Sequence, residues 1–158
     1  MGGGARKVRV SLTEDQPVGD DVRGSLQSYI AKLSVPQKVE LAGKGNKEVR
    51  QILSRDPSSI VARAVVNSPR ISESDVIAYA GAAQTNDEVL RAIGENREWS
   101  KNFRVKALLV SNPKTPPTVA LRFLGHLSMS DLNVLSRNRN ISMIIRREAK
   151  RRVVLNRK

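Results

Sequence analysis

Apolar residues in this chain recur in short stretches, and five of these stretches end in the same kind of signal. Each closes on a small polar residue followed by Pro or Arg, at positions 53–57, 65–69, 93–97, 110–113 and 135–139. A small polar side chain can bond to nearby backbone, and Pro cannot continue a helix, so each signal predicts a helix end and a turn. The pattern therefore predicts a stack of short helices, an architecture that presents a surface.

Capping residues locate the helices within this pattern. Predicted helix starts are Asp20, Ser34, Asn46, Ser58 or Ser59, Ser72, Thr85, Trp99, Thr115 and Ser128 or Ser130. Two of them have the spacing of a capping box, Ser72 with Asp75 and Thr85 with Glu88. The helix that begins at Trp99 is predicted to run unbroken to Val110, and Thr115 is predicted to cap a helix with Pro116 in its first turn.

The last predicted helix, over residues 141–153, is amphipathic. Ile141, Ile145, Ala149 and Val153 form an apolar stripe at a spacing of four residues. The basic residues of the same segment, at positions 146, 147, 150 and 151, fall on a different side. The spacing thus predicts one buried apolar face and one basic face.

The helical signals divide the chain into three parts. Residues 1–19 hold four glycines, a proline and mixed charge, which indicates a flexible N-terminal arm. Within that arm, residues 7–12 alternate polar and apolar, so an edge strand is an alternative for them. Residues 20–153 form the helical-repeat domain, and residues 154–158 are a short basic C-terminal tail.

Parts of the sequence repeat. Residues 46–56 align with 86–96 at an offset of 40, residues 65–69 align with 109–113 at 44, and residues 135–138 repeat 93–96 at 42. A period near 40 with two or three helices per unit predicts an α-solenoid of about three units.

Over residues 35–153 the chain resembles HEAT-like and leucine-rich-repeat-variant α-solenoids. The segments 96–99, 112–116 and 120–124 also resemble a group of small, uncharacterised bacterial repeat proteins. The resemblance implies an all-α, short helical-repeat (HEAT-like), right-handed solenoid. Proteins of this fold serve as adaptors and scaffolds and, in one branch, as DNA-alkylation glycosylases, so the fold does not choose the function.

Few residues here suit catalysis. The chain has no cysteine and a single histidine, His126, which excludes disulfides and leaves almost no material for transition-metal sites or a Ser–His–Asp triad. Glycosylases of the fold that this chain resembles hold a damaged nucleotide with tryptophans and an acidic residue. Trp99 is the single tryptophan here, and we interpret it as a side chain that fills the space between repeats. We therefore expect no enzyme, no cofactor, no metal and no small-molecule substrate.

Charge indicates the kind of partner. The net charge is +13, and residues 137–158 contribute nine basic residues against one acidic residue. A basic block attracts acidic partners, so the leading hypothesis is a non-enzymatic module that binds an acidic protein through a basic ridge. The residues expected to form that ridge are Arg146, Arg147, Lys150, Arg151, Arg139, Arg104, Lys101 and Arg97.

A sequence-tolerant DNA- or RNA-binding protein that uses the same residues is the alternative. It would contact the phosphate backbone, because aromatic residues are too few to stack on single strands. No apolar run approaches the roughly 20 residues of a membrane span, and a cysteine-free chain fits a reducing cytoplasm. The oligomeric state is left open by the sequence.

Overall fold

The structure is a computed structural model that describes residues 10–157. The helices of this range are α1 (Asp20–Ala31), α2 (Val35–Lys44), α3 (Lys47–Leu53), α4 (Ser59–Val66), α5 (Glu73–Gly81), α6 (Asp87–Glu95), α7 (Arg97–Ser100), α8 (Phe103–Ser111), α9 (Pro117–Phe123), α10 (Met129–Arg137) and α11 (Met143–Asn156), with a 3₁₀ turn at Leu124–His126. Residues 10–157 contain no strand, which confirms the all-α prediction. The alternative prediction places an edge strand at residues 7–12. Residues 10–12 form no strand, and residues 7–9 lie outside the described range.

Apart from the short α7, the helices form five consecutive pairs along the chain. First members α1, α3, α5, α8 and α10 begin 27, 26, 30 and 26 residues apart, and second members α2, α4, α6, α9 and α11 begin 24, 28, 30 and 26 apart. Contacts run from α1 through α3 and α5 to α8 in one layer, and from α2 through α4, α6 and α9 to α11 in the other. This arrangement is a helical repeat.

The predicted period near 40 is wrong. Asn46 and Asn86, which align at that offset, cap α3 and α6, and these helices belong to different layers. Asparagine is a good N-cap for any helix, so similar capping segments open helices of both layers and align without being equivalent. The true unit is one helix pair of 24–30 residues.

The five turn signals are confirmed, and each has the same local geometry. In every one, the side-chain oxygen of the small polar residue accepts a hydrogen bond from the backbone N–H two residues later, at 2.9 to 3.3 Å. The accepting residues are Asp56, Ser68, Asn96, Asn112 and Asn138, after α3, α4, α6, α8 and α10. A side chain within each turn thus bonds to the backbone of the same turn. This local hydrogen bond competes with the helical pattern, so the helix ends there.

Most predicted caps are found, with four corrections. Asp20 begins α1 but does not cap it, because Gly19 holds the N-cap position and no side chain bonds there. Ser34 and Ser72 form complete capping boxes with Gln37 and Asp75. The box predicted at Thr85 is wrong, because its buried hydroxyl donates to the carbonyl of Tyr79 at 2.7 Å and Asn86 caps α6 instead.

The other two corrections concern the segments around α8 and α9. Thr115 does not cap α9: Pro116 holds the N-cap position, and the threonine hydroxyl is buried. The helix predicted from Trp99 to Val110 is broken at residues 101–102, because the side chain of Asn102 caps a new helix, α8. Trp99, on the short α7, packs against the core, as a side chain that fills the space between repeats would.

Residues 11–15, assigned by composition to the arm, contact the helical body. Leu12 packs against the core, and its carbonyl accepts the N–H of Asn46 at 2.7 Å. A carboxylate oxygen of Asp15 accepts the N–H of Lys47 at the start of α3. Arg70 donates to the carbonyls of Thr13 and Lys44. The segment therefore lies across the first two helix pairs.

Buried asparagines join distant parts of the chain. The side-chain amide of Asn86 donates to the carbonyl of Asp56, and that of Asn112 donates to the carbonyls of Ala80 and Ala82, at 2.7 to 2.9 Å. Asn46 donates in the same way to residues 11 and 14. Each bond spans 30–35 residues. The bonds of Asn86 and Asn112 reach the backbone of the preceding helix pair, and those of Asn46 reach the segment before α1.

Candidate interaction surface

Helix α11 ends the second layer, and only one of its sides is covered. It packs on α10 and α9 through the predicted stripe, and Ile145, Ala149 and Val153 are buried. Ile141 is also buried, in the turn before α11. The helix extends to Asn156, so residues 154–156, assigned by sequence to the tail, belong to it.

The opposite side, which we call the outward face of α11, mixes apolar and basic residues. With about 100° between successive residues, these side chains lie opposite the buried stripe: Met143, Ile144, Arg147, Lys150, Arg151, Val154 and Leu155. The four apolar members are 48% to 55% exposed. The predicted buried apolar side is therefore present, whereas the exposed side is not simply basic.

Residues on the outward face follow an order along the helix. Met143 and Ile144 form an apolar pair at its start, and Val154 and Leu155 form another at its end. Arg147, Lys150 and Arg151 lie between the two pairs. A cationic centre is thus flanked by two apolar contacts, a layout suited to a partner that offers both carboxylates and apolar side chains.

A single carboxylate neutralises part of this cationic centre. Glu148 accepts two hydrogen bonds from Arg151, at 2.7 and 2.9 Å, and one from Arg152 at 3.0 Å. The bonds from Arg151 lower the pKa of Glu148 most; burial opposes them as the second-largest effect, and the bond from Arg152 lowers it further, to about 2. Within residues 10–157, no acidic side chain lies within 4 Å of the cationic groups of Arg147 or Lys150.

Arg146 and Arg139 extend the cationic region toward the α10–α11 turn. Arg146 is half-buried at the edge of the outward face, and Arg139 is exposed in the turn itself. The side chain of Asn138 closes that turn by accepting the N–H of Asn140. Arg139 therefore sits on a defined turn rather than on a loose connection.

The remaining predicted ridge residues form a second group. Arg97 begins the short α7, Lys101 follows its last residue, and Arg104 lies in the first turn of α8, in the other layer from α11. Lys101 pairs with Glu98 at 3.2 Å on the surface. The eight predicted residues thus fall into two groups, five around α11 and three around α7.

Sequence reasoning missed the exposed apolar pairs. Residues 154 and 155 were assigned to the tail, and residues 143 and 144 were not distinguished from the core stripe. Their sequence signal is the recurrence of two adjacent apolar residues after eleven positions, which brings both pairs back to nearly the same side of a helix.

Other candidate residues lie elsewhere. His126 is exposed at the end of the 3₁₀ turn, with its ring centroid 6.4 Å from that of Phe123 and its Nδ1 3.4 Å from the Lys106 amine. Over residues 10–157, no cluster of three or more His, Asp or Glu could hold a metal ion, and no helix is long and apolar enough to span a membrane.

Comparison with protein-family models, with curated proteins and with solved structures gives no match to this chain. The basis for a functional conclusion is therefore the chemistry of its own surface. Guanidinium and ammonium groups without acidic neighbours can bind carboxylates or phosphates, and half-exposed apolar side chains can bury area against a protein.

Proposed function

We propose that this protein is a non-enzymatic interaction module that binds an acidic protein through the outward face of α11 and the adjoining turn. The observation that carries the proposal is the cationic centre between two exposed apolar pairs. The architecture is that of a short α-solenoid resembling HEAT-like repeats, whose usual role is to present such a surface. We extend the proposal to a cytoplasmic location, which suits a chain without cysteine.

Unneutralised charge supports an acidic partner. The region from 137 to 157 has eight basic residues and one acidic residue, and that acidic residue is already bound to Arg151 and Arg152. Like charges held this close repel one another, and an acidic partner relieves that repulsion. Association should therefore be fast and sensitive to salt.

The apolar pairs favour a protein over a nucleic acid. A phosphate backbone offers nothing for Met143, Ile144, Val154 and Leu155 to bury, whereas a protein surface does. Nucleic acid is the second candidate because the whole chain carries +13 with a pI near 10.9. In that case the same cations would contact phosphates without reading sequence.

Three variants with substitutions to Ser would test the proposal. The first replaces Arg146, Arg147, Lys150 and Arg151. The second replaces the other group, Arg97, Lys101 and Arg104. The charge-matched control replaces four exposed basic residues from neither group: Lys32, Arg55, Lys114 and Arg122.

Binding would be measured by fluorescence anisotropy over a range of salt with three labelled probes, a glutamate-rich amphipathic peptide, a random DNA duplex and an RNA hairpin. We expect the first variant to weaken peptide binding by about tenfold or more, and the control by about threefold or less. Circular dichroism should show that all variants stay folded.

Each other outcome has a clear meaning. Tighter binding of the duplex or hairpin than of the peptide, with a steep salt slope, replaces the proposal by the nucleic-acid alternative. Equal losses in the first variant and the control reject the α11 surface. Loss in the second variant alone moves the site to α7.

A further inference from the structure

We infer that the partner is an acidic amphipathic helix that carries two apolar pairs eleven residues apart, with carboxylates between them. This inference rests on the proposed function. Such a helix would lie along α11, each of its apolar pairs on one apolar pair of the outward face. Its carboxylates would meet Arg147, Lys150 and Arg151. This is helix-on-helix recognition with matched charge and apolar register.

Spacing on α11 carries this inference. Val154 follows Met143, and Leu155 follows Ile144, by eleven residues. Eleven residues are about three helical turns and about 16 Å, so each pair returns to within about 20° of the same direction. A partner of the same periodicity can touch both pairs at once. The pattern is nearly the same in either direction, so parallel and antiparallel partners both fit.

The C-terminal apolar pair borders a groove that can take an anchoring side chain. The groove holds about 270 Å³ and is lined on one side by Leu155 and Arg152 and on the other by Leu124, Leu127 and Met129. It is shallow and partly apolar, and Arg152 adds a basic residue to its lining. A large apolar side chain of the partner would bury itself there, as hot-spot residues do.

Charge excludes a second copy of this chain as the occupant. In an antiparallel pairing of two α11 helices the apolar pairs would match. The cationic centres, with Arg147, Lys150 and Arg151 from each copy, would then face one another at the middle of the contact. Like charges directly opposed cost binding energy, whereas carboxylates at the same positions gain it.

A designed peptide pair tests the register. The matched peptide copies α11 with the charges reversed. It has leucine in the register of Met143, Ile144, Val154 and Leu155, and glutamate in the register of Arg147, Lys150 and Arg151, with alanine elsewhere. The shifted peptide has the same composition but exchanges two pairs of residues. Its second leucine pair lies in the register of Lys150 and Arg151, and two glutamates lie in the register of Val154 and Leu155.

Both peptides would be titrated against the full chain and against three double variants. Two of these variants each remove one apolar pair. One combines Met143→Ser with Ile144→Ser, and the other combines Val154→Ser with Leu155→Ser. The control, Ile60→Ser with Val134→Ser, removes two apolar residues that are even more exposed, at 60% and 67%. All six positions are at the surface, so the variants should fold like the parent.

We expect the matched peptide to bind about tenfold more tightly than the shifted one and to gain helical circular dichroism. Loss of either apolar pair should remove most of that preference, and the control should keep it. Equal affinity for both peptides, lost only when the basic residues are replaced, would overturn this inference and leave the proposed function standing.

No binding of either peptide would overturn both, as would tighter binding to a DNA duplex. Tighter binding to vesicles of phosphatidylserine than to the matched peptide would also overturn the inference, because it would assign the apolar pairs to a lipid surface.

Discussion

Arg50 and Asp75 form an ion pair in the interior, with 2.7 Å between Nη2 and Oδ2. The two side chains are 5% and 1% exposed and join α3 to α5, the first-layer helices of successive pairs. Arg50 also donates to the carbonyl of Gly45, and Asp75 accepts the N–H of Ser72. One cross-link thus connects three helix ends.

Removing one partner of this pair should be costly. Arg50→Met would leave Asp75 buried with only Lys47, 3.8 Å away at the surface, to balance it. We expect the free energy of unfolding to fall by about 3–5 kcal/mol, measured by urea denaturation. The double variant Arg50→Met/Asp75→Leu should lose less than the sum of the two single losses, because it removes both charges.

An exposed pair provides the control for that experiment. Arg63 lies 3.9 Å from Glu88 and its side chain is 68% exposed. Arg63→Met should change the free energy of unfolding by about 0.5 kcal/mol or less. A loss at Arg50 as small as the loss at Arg63 would show that the interior pair is not structural.

Tyr79 predicts a dependence of stability on alkaline pH. Burial, and next the charge of Asp75, raise the pKa of its hydroxyl above the ordinary value, with Arg50 opposing. The hydroxyl has no hydrogen-bond partner among the described residues. Below a pH of about 10, Tyr79 is neutral in both states. Above it the unfolded chain ionises first, so stability is lost as pH rises.

Tyr79→Phe should remove this contribution. Near neutral pH the variant should be as stable as the parent or more stable, by about 1 kcal/mol, because it deletes an unpaired buried hydroxyl. Urea denaturation from neutral pH to above 10 would compare the two proteins. If the parent and the variant lose stability in parallel, Tyr79 is not the source of the pH dependence.

Gly94 of α6 packs closely against Val119 and Phe123 of α9. A Cβ at this position would clash with the Cγ1 of Val119 and lie 3.6 Å from the ring of Phe123. Gly94→Ala should therefore destabilise the protein by about 1–3 kcal/mol in thermal or urea unfolding. Gly24, inside α1 with nothing within 4 Å of a Cβ, is the matched control. Gly24→Ala should stabilise by about 0.5–1 kcal/mol.

Glu148→Gln should strengthen binding of acidic partners. The variant removes the only carboxylate of α11 and releases Arg151 and Arg152 from it. We expect a gain of about twofold to fivefold in affinity for the glutamate-rich peptide at low salt, measured by anisotropy. Because the pKa of Glu148 is lowered to about 2, the gain should be the same from pH 5 to 8. A weaker complex would mean that Glu148 orients the arginines for binding.

Local signals in the sequence predicted local structure well. The turns at Asp56, Ser68 and Asn112 form as expected, since each depends on one side chain and the backbone two residues ahead. Ile145 and Ala149 are buried as their spacing indicates. These features are decided within one or two helical turns, and the residues concerned lie two to four positions apart in the sequence.

Features that depend on distant residues were not predictable in the same way. Thr85 has the spacing of a capping residue, but its hydroxyl donates a hydrogen bond to the carbonyl of Tyr79 instead. The layer of each helix depends on contacts about 30 residues away, so an alignment of capping segments gave the wrong period. The pairing of Arg50 with Asp75, and the exposure of Met143 and Val154, follow only from the packed arrangement.

The buried asparagines have a consequence for how such a chain can change over generations. The side-chain amides of Asn86 and Asn112 donate hydrogen bonds to main-chain carbonyl oxygens of the preceding helix pair. Every residue type provides such a carbonyl. The joint between units is therefore indifferent to which side chains the neighbour carries. Units held this way can be duplicated, exchanged or allowed to diverge while the joint survives. The second, third and fourth helix pairs are joined in this way although their sequences differ.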